Sequence, residues 1–383
     1  MKIAIATPVL FEKNSPFNHL IKDILGGLLQ AGCEIERHIA VKDDQDDDYQ
    51  LGYHEINYVK YRRKESNHNN IFSRYLRDTL TCIREAEGIK KSNADVLFED
   101  ISYASFWSVR AARKKGIRIV AMLQDVWPDN AVQSGLLKSG GLLYRYFEAY
   151  QRYVYKKADR IICISDDIKE FIVSKGIEEE KISVIYNWGY SDDAVNIPWE
   201  ENRFVKKYGL AKDFYAVYAG NIGKMQNVEL IVRAAEKLPD VKFLIVGDGA
   251  KKKAIEELSK GLSNIRLLPL QPEELAPHVY SAASVNIISL VEEGVKTAMP
   301  SKTAIVLSCG KPVVFCFGSQ SAFGEKLKQY DAGVSVSAAD EDELVGAIKN
   351  AAAKEGAQEL FSECFRKTEN VNQYIRVITG SIV

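Results

Sequence analysis

The chain has 383 residues, 46% of them hydrophobic and 27% charged, with only 10 prolines. A chain of this length folds as about two or three domains and buries enough surface to hold together without disulfides or metals. Lys and Arg number 51 against 52 Asp and Glu, which excludes both the global basic excess that grips nucleic acid and the acidic excess of a solvating tail.

From the N-terminus, Met1-Lys2 leads straight into the strand-like run Ile3-Ala4-Ile5-Ala6, with no signal-peptide cleavage pattern. No apolar run approaches the ~20 residues that a membrane span requires, so a cytoplasmic location is expected. Short apolar runs alternate with amphipathic segments along almost the whole length, the pattern of buried parallel strands linked by helices. The class is α/β. Strands are expected at 3–7, 34–40, 56–61, 95–98, 118–123, 160–164 and 183–186, with helices near 18–31, 71–91, 103–115, 141–157 and 167–175. In the second half the strands fall at 215–218, 242–246, 266–268, 285–289, 313–317 and 333–337. Two doubly wound, Rossmann-like sheets are implied. From Trp188 to Asn202 the pattern lapses into Gly, Ser, Asp, Asn and Pro, which marks a linker between domains at 1–190 and 203–360. The last amphipathic stretch, Gln358 to Thr379, with 361–383 as a C-terminal helix, caps the second sheet or crosses back to the first domain; the pattern leaves both routes open.

The run Asp43 to Asp48 reads as a solvated loop. Residues 58–77 contain Lys60, Arg62, Arg63, Lys64, Arg74 and Arg77 against Glu65, interleaved with Tyr58, Tyr61, Phe72 and Tyr75. Such a segment suits an anionic lipid surface or a pyrophosphate head group, with a solvated basic loop as the alternative. The six cysteines show neither a C-x-x-C pair nor a His partner at zinc spacing, and read as reduced core thiols.

Two strand-to-helix turns in the second half have the composition of phosphate cradles. In Ala219-Gly220-Asn221-Ile222-Gly223-Lys224 small residues let backbone N–H groups approach an anion, and Lys224 supplies a cation. Val246-Gly247-Asp248-Gly249-Ala250 holds a fragment of the dinucleotide fingerprint without its third glycine. A tight strand-to-helix turn is the plain alternative for both. A third candidate is Met299-Pro300-Ser301-Lys302-Thr303, where proline at a first helical position would open a helix ready for phosphate. Together these turns point to a pyrophosphate ligand at the carboxyl edge of one sheet.

The order Val184-Ile185-Tyr186-Asn187-Trp188, Tyr218 to Gln226, Val246 to Gly249, Pro300-Ser301-Lys302 and Gly310-Lys311-Pro312 resembles the bacterial family-4 glycosyltransferases of GT-B fold. The subgroup that builds capsule, O-antigen and exopolysaccharide repeats, with a P-S-K motif, is the most similar. In the first half, Gln124-Asp125-Val126-Trp127-Pro128-Asp129 is similar to its H-D-L-W-P-E segment and Ala158 to Ser165 to its A-D-x-I-I-x-I-S strand. The resemblance implies two Rossmann-like domains facing across a cleft and a retaining transfer of a hexosyl or N-acetylhexosaminyl group. The donor is a nucleotide-sugar, most often UDP-linked. The acceptor is a glycan, on a polyprenyl diphosphate where the enzyme works peripherally at the inner face of the membrane. It further implies a donor site in the second domain formed by Gly220, Asn221, Gly223, Lys224, Gly247, Asp248, Gly249, Leu270, Pro300, Ser301, Lys302 and Thr303. His19, Gln124 and Asp125 would face the acceptor, with Asp125, Lys224 and Lys302 carrying the chemistry. No metal or other cofactor is expected, because two lysines stabilise the departing diphosphate.

Two departures stand out. The wider family carries two glutamates around Pro300 where this chain has Val295 and Thr303, with Glu292 and Glu293 just upstream as partial substitutes. Gln124 replaces the histidine that often faces the transferred sugar. A non-catalytic accessory protein that keeps the fold is the alternative reading. A nucleotide-sugar epimerase ranks below it, since none of the five histidines sits beside a Gly-rich turn of the second domain.

Overall fold

The computed structural model describes residues 1–7, 16–41, 53, 55–62, 71–102, 105–133, 135–189, 191–291, 294, 296–318 and 320–380. The Asp43–Asp48 run, the basic residues Arg63 and Lys64, and Glu292, Glu293 and Val295 lie outside the described residues. The chain divides into two compact units. The first comprises Met1–Ile164, Lys169–Tyr186 and Thr368–Val383, and the second Ser165–Ile168 and Asn187–Lys367.

In the first unit, β1 (Lys2–Thr7), β2 (Glu34–Val41), β3 (Asn57–Arg62), β4 (Val96–Asp100), β5 (Arg118–Leu123), β6 (Arg160–Cys163) and β7 (Ile182–Val184) form one parallel sheet in the order β3-β2-β1-β4-β5-β6-β7. A parallel sheet is covered by helices on both faces, so its central strands read as unbroken apolar runs. Ile3, Ala4, Ile5 and Ala6 of β1 are accordingly no more than 1% exposed. The second unit repeats the plan with β8 (Tyr215–Asn221), β9 (Lys242–Asp248), β10 (Ile265–Leu268), β11 (Val285–Ser289), β12 (Val313–Cys316) and β13 (Gly333–Val336), ordered β10-β9-β8-β11-β12-β13. Each sheet reverses its winding once, between β1 and β4 and between β8 and β11. In open α/β sheets such a reversal opens a crevice at the carboxyl ends of the strands, which is where ligands bind.

The helices between strands pack by amphipathic pattern. Val228–Glu236 buries Leu230, Ile231, Val232, Ala234 and Ala235 in a core with Phe243 and Ile245 of β9. Each large side chain there gains about 1.5 to 3 kcal/mol from leaving water. Of the six cysteines five are buried and Cys364 is half-buried, all of them free thiols, as the sequence reading expects.

The linker is less detached than its composition suggests. Val195 N–H donates to Ser308 O at 2.8 Å and Ile197 N–H to Ser281 Oγ at 3.2 Å, which lays it along the second unit.

The stretch 358–379, expected as one amphipathic segment, is two helices: Ala357–Cys364 in the second unit and Lys367–Thr379 in the first. The break falls where Phe365, 1% exposed, packs edge-on against Phe323 at 6.1 Å, while Tyr374 packs edge-on against Phe98 of β4 at 6.3 Å. One straight helix cannot serve both cores. The second helix is fixed to the first unit by Asn370 Nδ2 donating to Tyr186 O at 2.8 Å. Arg118 donates from Nη1 to Ile378 O at 2.6 Å and from Nη2 to Val377 O at 2.9 Å. These bonds place a cation on the last carbonyls of the helix, where its dipole favours positive charge. Arg118→Met is expected to lower stability by about 1 to 3 kcal/mol. The loss should concentrate in faster amide hydrogen exchange over 367–379, and unchanged protection there would show that apolar packing alone holds the helix.

Candidate active site

The reversal between β8 and β11 places Ala219-Gly220-Asn221 at the carboxyl edge of the second sheet. Gly247 of β9 lies opposite Gly220. A Cβ at Gly247 would stand 2.0 Å from Gly220 O, so the two strand ends meet this closely only because the position is glycine. Gly249 has φ of +152°, and a Cβ there would come within 2.5 Å of Ile222 O. The two turns are tied together by Ile222 N–H donating to Asp248 O at 2.7 Å and Lys251 N–H donating to Ile222 O at 2.9 Å. The glycine-rich turns found separately in the sequence therefore form one continuous floor.

Lys302 reaches this floor from the other side of the reversal. Its Nζ donates to Ala219 O at 2.9 Å and lies 4.0 Å from the centre of the Tyr218 ring. The residue as a whole is half-buried, but its ammonium end is enclosed, and desolvation pulls its pKa from 10.5 down to about 7. Among the described residues no carboxylate pairs with it: a ring face and a carbonyl are what it has. The enclosed cation stands 3.2 Å from where a Cβ of Gly220 would be, an arrangement chemically suited to an anion over the glycines.

The local structure around Lys302 corrects one expectation. Pro300 does not open a helix; the helix is Thr303–Ser308, and Pro300-Ser301-Lys302 is a turn before it. Thr303 N–H and Oγ1 both donate to Pro300 O, at 3.0 and 2.8 Å, and Thr303 is 1% exposed. Thr303 therefore closes the turn that carries Lys302 with both of its donors. Ser301 is exposed. Lys224 is exposed directly after the buried Gly223, Asn221 Nδ2 donates to Gln226 Oε1 at 3.1 Å, and Asp248 Oδ1 accepts from Gly249 N–H at 2.7 Å. Leu270 is 60% exposed just beyond β10, at the edge of the sheet. The Asp-x-Asp of the second unit, Asp340-Glu341-Asp342, is a helix cap: Asp340 Oδ1 accepts from Asp342 N–H and Glu343 N–H at 2.9 and 3.1 Å.

In the first unit two of the sequence-expected residues stand at the carboxyl end of a strand, and the third lies in a helix. Gln124 and Asp125 follow β5, and His19 lies in the helix Pro16–Gln30 after β1. Asp125 is exposed, yet surrounding protein desolvates its carboxyl enough to push it up to about 6. Next to β5, the last residue of β4 is Asp100, 8% exposed, and burial together with the neighbouring Asp125 charge raises its carboxyl to about 8. Sequence reading missed Asp100; the signal was an acid pair, Glu99-Asp100, ending a strand that is otherwise apolar. Asp129 of the Trp127-Pro128-Asp129 segment is structural: it accepts from Tyr144 Oη at 2.8 Å and Lys175 Nζ at 2.6 Å. The aromatic spacing from Tyr144 to Tyr155 predicts that Phe147, Tyr150 and Val154 pack in the core; in the helix Leu142–Lys157 Phe147 and Val154 are buried together with Gln151 and Tyr155, and Tyr150 is half-buried.

Comparison with known proteins agrees with this geometry. Residues 18–188 match the model described as Glycosyltransferase Family 4, and residues 213–354 match Glycosyl transferases group 1. The chain is 27% identical over 206 residues to the probable glycosyltransferase WbjE of Pseudomonas aeruginosa, covering 52% of this chain and 51%, about half, of that relative. It is 25% identical over 283 residues to the putative colanic acid biosynthesis glycosyl transferase WcaI of Escherichia coli, covering 70% of this chain and 69% of the relative. Among solved structures, Anabaena HepE in complex with UDP superposes with a TM-score of 0.71 at 15% identity, covering 99% of each chain. Two Rossmann-like units, a desolvated lysine over a glycine floor at the second switch point, and these matches together place the chain among the glycosyltransferases of GT-B fold, with a family 4 domain in its first half and a group 1 domain in its second.

Proposed function

We propose that the protein is a retaining glycosyltransferase that takes a hexosyl or N-acetylhexosaminyl group from a UDP-sugar in the assembly of a bacterial surface polysaccharide such as capsule or O-antigen. The acceptor is a glycan on a polyprenyl diphosphate, reached by peripheral attachment to the inner face of the membrane. The observation that carries this reading is the Lys302 ammonium over Gly220. The name of WcaI supports the polysaccharide role, and the UDP held by HepE supports the donor.

The donor diphosphate lies on the Gly220–Gly223 and Gly247–Gly249 turns, with Lys302 beneath it and Lys224 at its exposed side. As the bond from the sugar C1 to the phosphate oxygen breaks, negative charge gathers on the departing diphosphate. An enclosed ammonium is strongest against charge that develops next to it in a desolvated site, so it lowers the barrier more than it tightens ground-state binding. The new bond joins the acceptor oxygen to C1 on the same face, and the acceptor proton passes to the departing phosphate oxygen. Asp125, Gln124 and His19 bind sugar hydroxyls in the first unit, with Asp100 beside them. An accessory protein without activity has no use for an unpaired desolvated cation.

Lys224→Ala and Lys302→Ala are each expected to weaken UDP binding by about ten- to a hundred-fold, the loss of one charge-assisted hydrogen bond. Titration calorimetry that finds UDP affinity unchanged in both would remove these lysines from the donor site.

Lys302 also sets a pH dependence. Its folded pKa of about 7 lies below the usual 10.5, so above pH 7 the free protein holds it neutral while a bound diphosphate restores the charge. Binding should then take up a proton, and UDP affinity should fall as pH rises above 7, by at most about ten-fold per unit. By the same sign the unfolded state, with the higher pKa, holds more protons between 7 and 10.5, so stability without ligand rises across that window. Calorimetry in buffers of different ionisation heat measures the uptake, and Lys302→Met should abolish it.

Transfer is expected to proceed in EDTA, the lysines supplying the positive charge. Loss of sugar transfer in EDTA, restored by magnesium or manganese, would overturn the metal-independent reading.

A further inference from the structure

Single apolar side chains on a protein surface are ordinary, but a contiguous group of them marks an interaction site. Of the eight large apolar side chains exposed among the described residues, four lie within one short stretch: Leu136 at 60%, Leu142 at 87%, Leu143 at 47% and Tyr146 at 42%. The backbone holds them outward. Gly140 has φ of +66° and the extended Gly141 caps the helix Leu142–Lys157, so the chain turns sharply and Leu142 stands at the tip. The opposite face of this helix is already used. Phe147 packs edge-on against Trp127 at 5.3 Å, Gln151, Val154 and Tyr155 are buried, and Phe106 packs on Tyr150 and Tyr153 at 4.5 and 4.8 Å. The helix therefore has two apolar faces, one in the core of the first unit and one in solvent.

Charge distinguishes what the outer face meets. Lys138, Arg145, Arg152, Lys156 and Lys157 are all exposed around it. The stretch 135–157 has one acid, Glu148, which turns toward Lys175 at 3.7 Å. A protein–protein interface depletes charge at its centre and mixes signs at its rim. Leucines at the tip, tyrosine hydroxyls behind them and a border of cations of one sign instead match a leaflet, with apolar side chains in the acyl boundary, tyrosine at the head groups and basic residues at the phosphates.

We propose that the outer face of the helix Leu142–Lys157, with Leu136 and Lys138 before it, docks the first unit on an anionic lipid bilayer. The inference rests on the membrane attachment proposed above and names a contact for it other than residues 58–77. Leu136, Leu142 and Leu143 enter the leaflet, and Lys138, Arg145 and Arg152 hold its phosphates.

The test uses the full chain with phosphatidylcholine vesicles, with and without phosphatidylglycerol, read by co-sedimentation at low and high salt. The wild type should bind only the anionic vesicles and be released by salt. Leu136→Ser/Leu142→Ser/Leu143→Ser should weaken binding by about ten-fold or more, from the apolar area withdrawn from lipid. Lys138→Glu/Arg145→Glu should weaken it at low salt only. These are surface positions, so both variants should keep the wild-type melting temperature and UDP affinity, which separates loss of docking from loss of fold or donor site. If Arg62→Glu/Arg63→Glu/Lys64→Glu abolishes binding while the leucine variant binds as the wild type does, this docking face is wrong and the attachment through 58–77 stands. If the wild type ignores anionic vesicles, both fail and the acceptor is soluble. If the wild type sediments as a dimer that the leucine variant splits, with vesicle binding unchanged, the face is a self-association surface and the proposal is overturned.

Discussion

An ammonium group held 2.9 Å from a carbonyl oxygen and 4.0 Å from a tyrosine ring, with no carboxylate paired to it among the described residues, is an unfinished interaction. Lys302 has lost much of its water and gained only a dipole and a quadrupole in return, which is why its proton is held so loosely. The surrounding structure keeps it there. Gly247 and Gly249 clear space above the strand ends, the buried Tyr218 supplies the ring face, and Thr303 spends both of its donors on the turn that precedes the helix. A bound anion completes the pair. In the proposed function the pH dependence of donor affinity traces to this cation, which shares the stabilisation of a leaving diphosphate with Lys224.

The first unit places acids, not a lysine, at the equivalent place. Its sheet reverses between β1 and β4, and β4 ends in Glu99 and Asp100, both buried. Burial raises Asp100 to about 8 and Glu99 well above its usual range, with Glu85 near 8 beside it. Carboxyls held in their neutral form at pH 7 both donate and accept hydrogen bonds. Such an edge is poorly suited to a diphosphate and well suited to hydroxyls. The two units share a winding and differ in what they bury where the winding reverses, a lysine in one and carboxyls in the other, so the fold supplies the crevice and the side chains decide its ligand.

The strands were legible because a doubly covered parallel strand is a continuous apolar run, and Ile3-Ala4-Ile5-Ala6 or Val313-Val314-Phe315 admit little else. The glycine turns were legible as phosphate cradles, though their fusion into one floor through Ile222 and Asp248 is a long-range fact that local spacing does not contain. Lys302 was found by type and by resemblance, but the route it takes was not. Proline at 300 suggested a helix start because proline tolerates the first turn, whereas its carbonyl is claimed by Thr303 and the helix begins later. The C-terminal stretch was legible as amphipathic and opaque as to partner. Hydrophobic period reports that a face is apolar and not which of two cores receives it; Phe365 and Tyr374 divide the stretch between both.

The helix Leu142–Lys157 exposes the same limit from the other side. Its aromatic spacing correctly indicates a core face, and once that face is assigned the remaining apolar residues are easily taken as more of it. Leu142 and Tyr146 sit on the other side of the cylinder from Phe147 and Gln151, while Leu143, one turn before Phe147, is exposed in the first turn of the helix, so one pattern conceals two faces. Their exposure matters because of the company they keep. An apolar tip among cations of one sign, on a unit whose sheet edge is built of carboxyls, separates an outer surface suited to phosphates from an inner edge suited to hydroxyls. An enzyme whose acceptor is a sugar carried on a lipid diphosphate has use for both in the same unit, since lipid, phosphate and sugar are successive parts of one molecule.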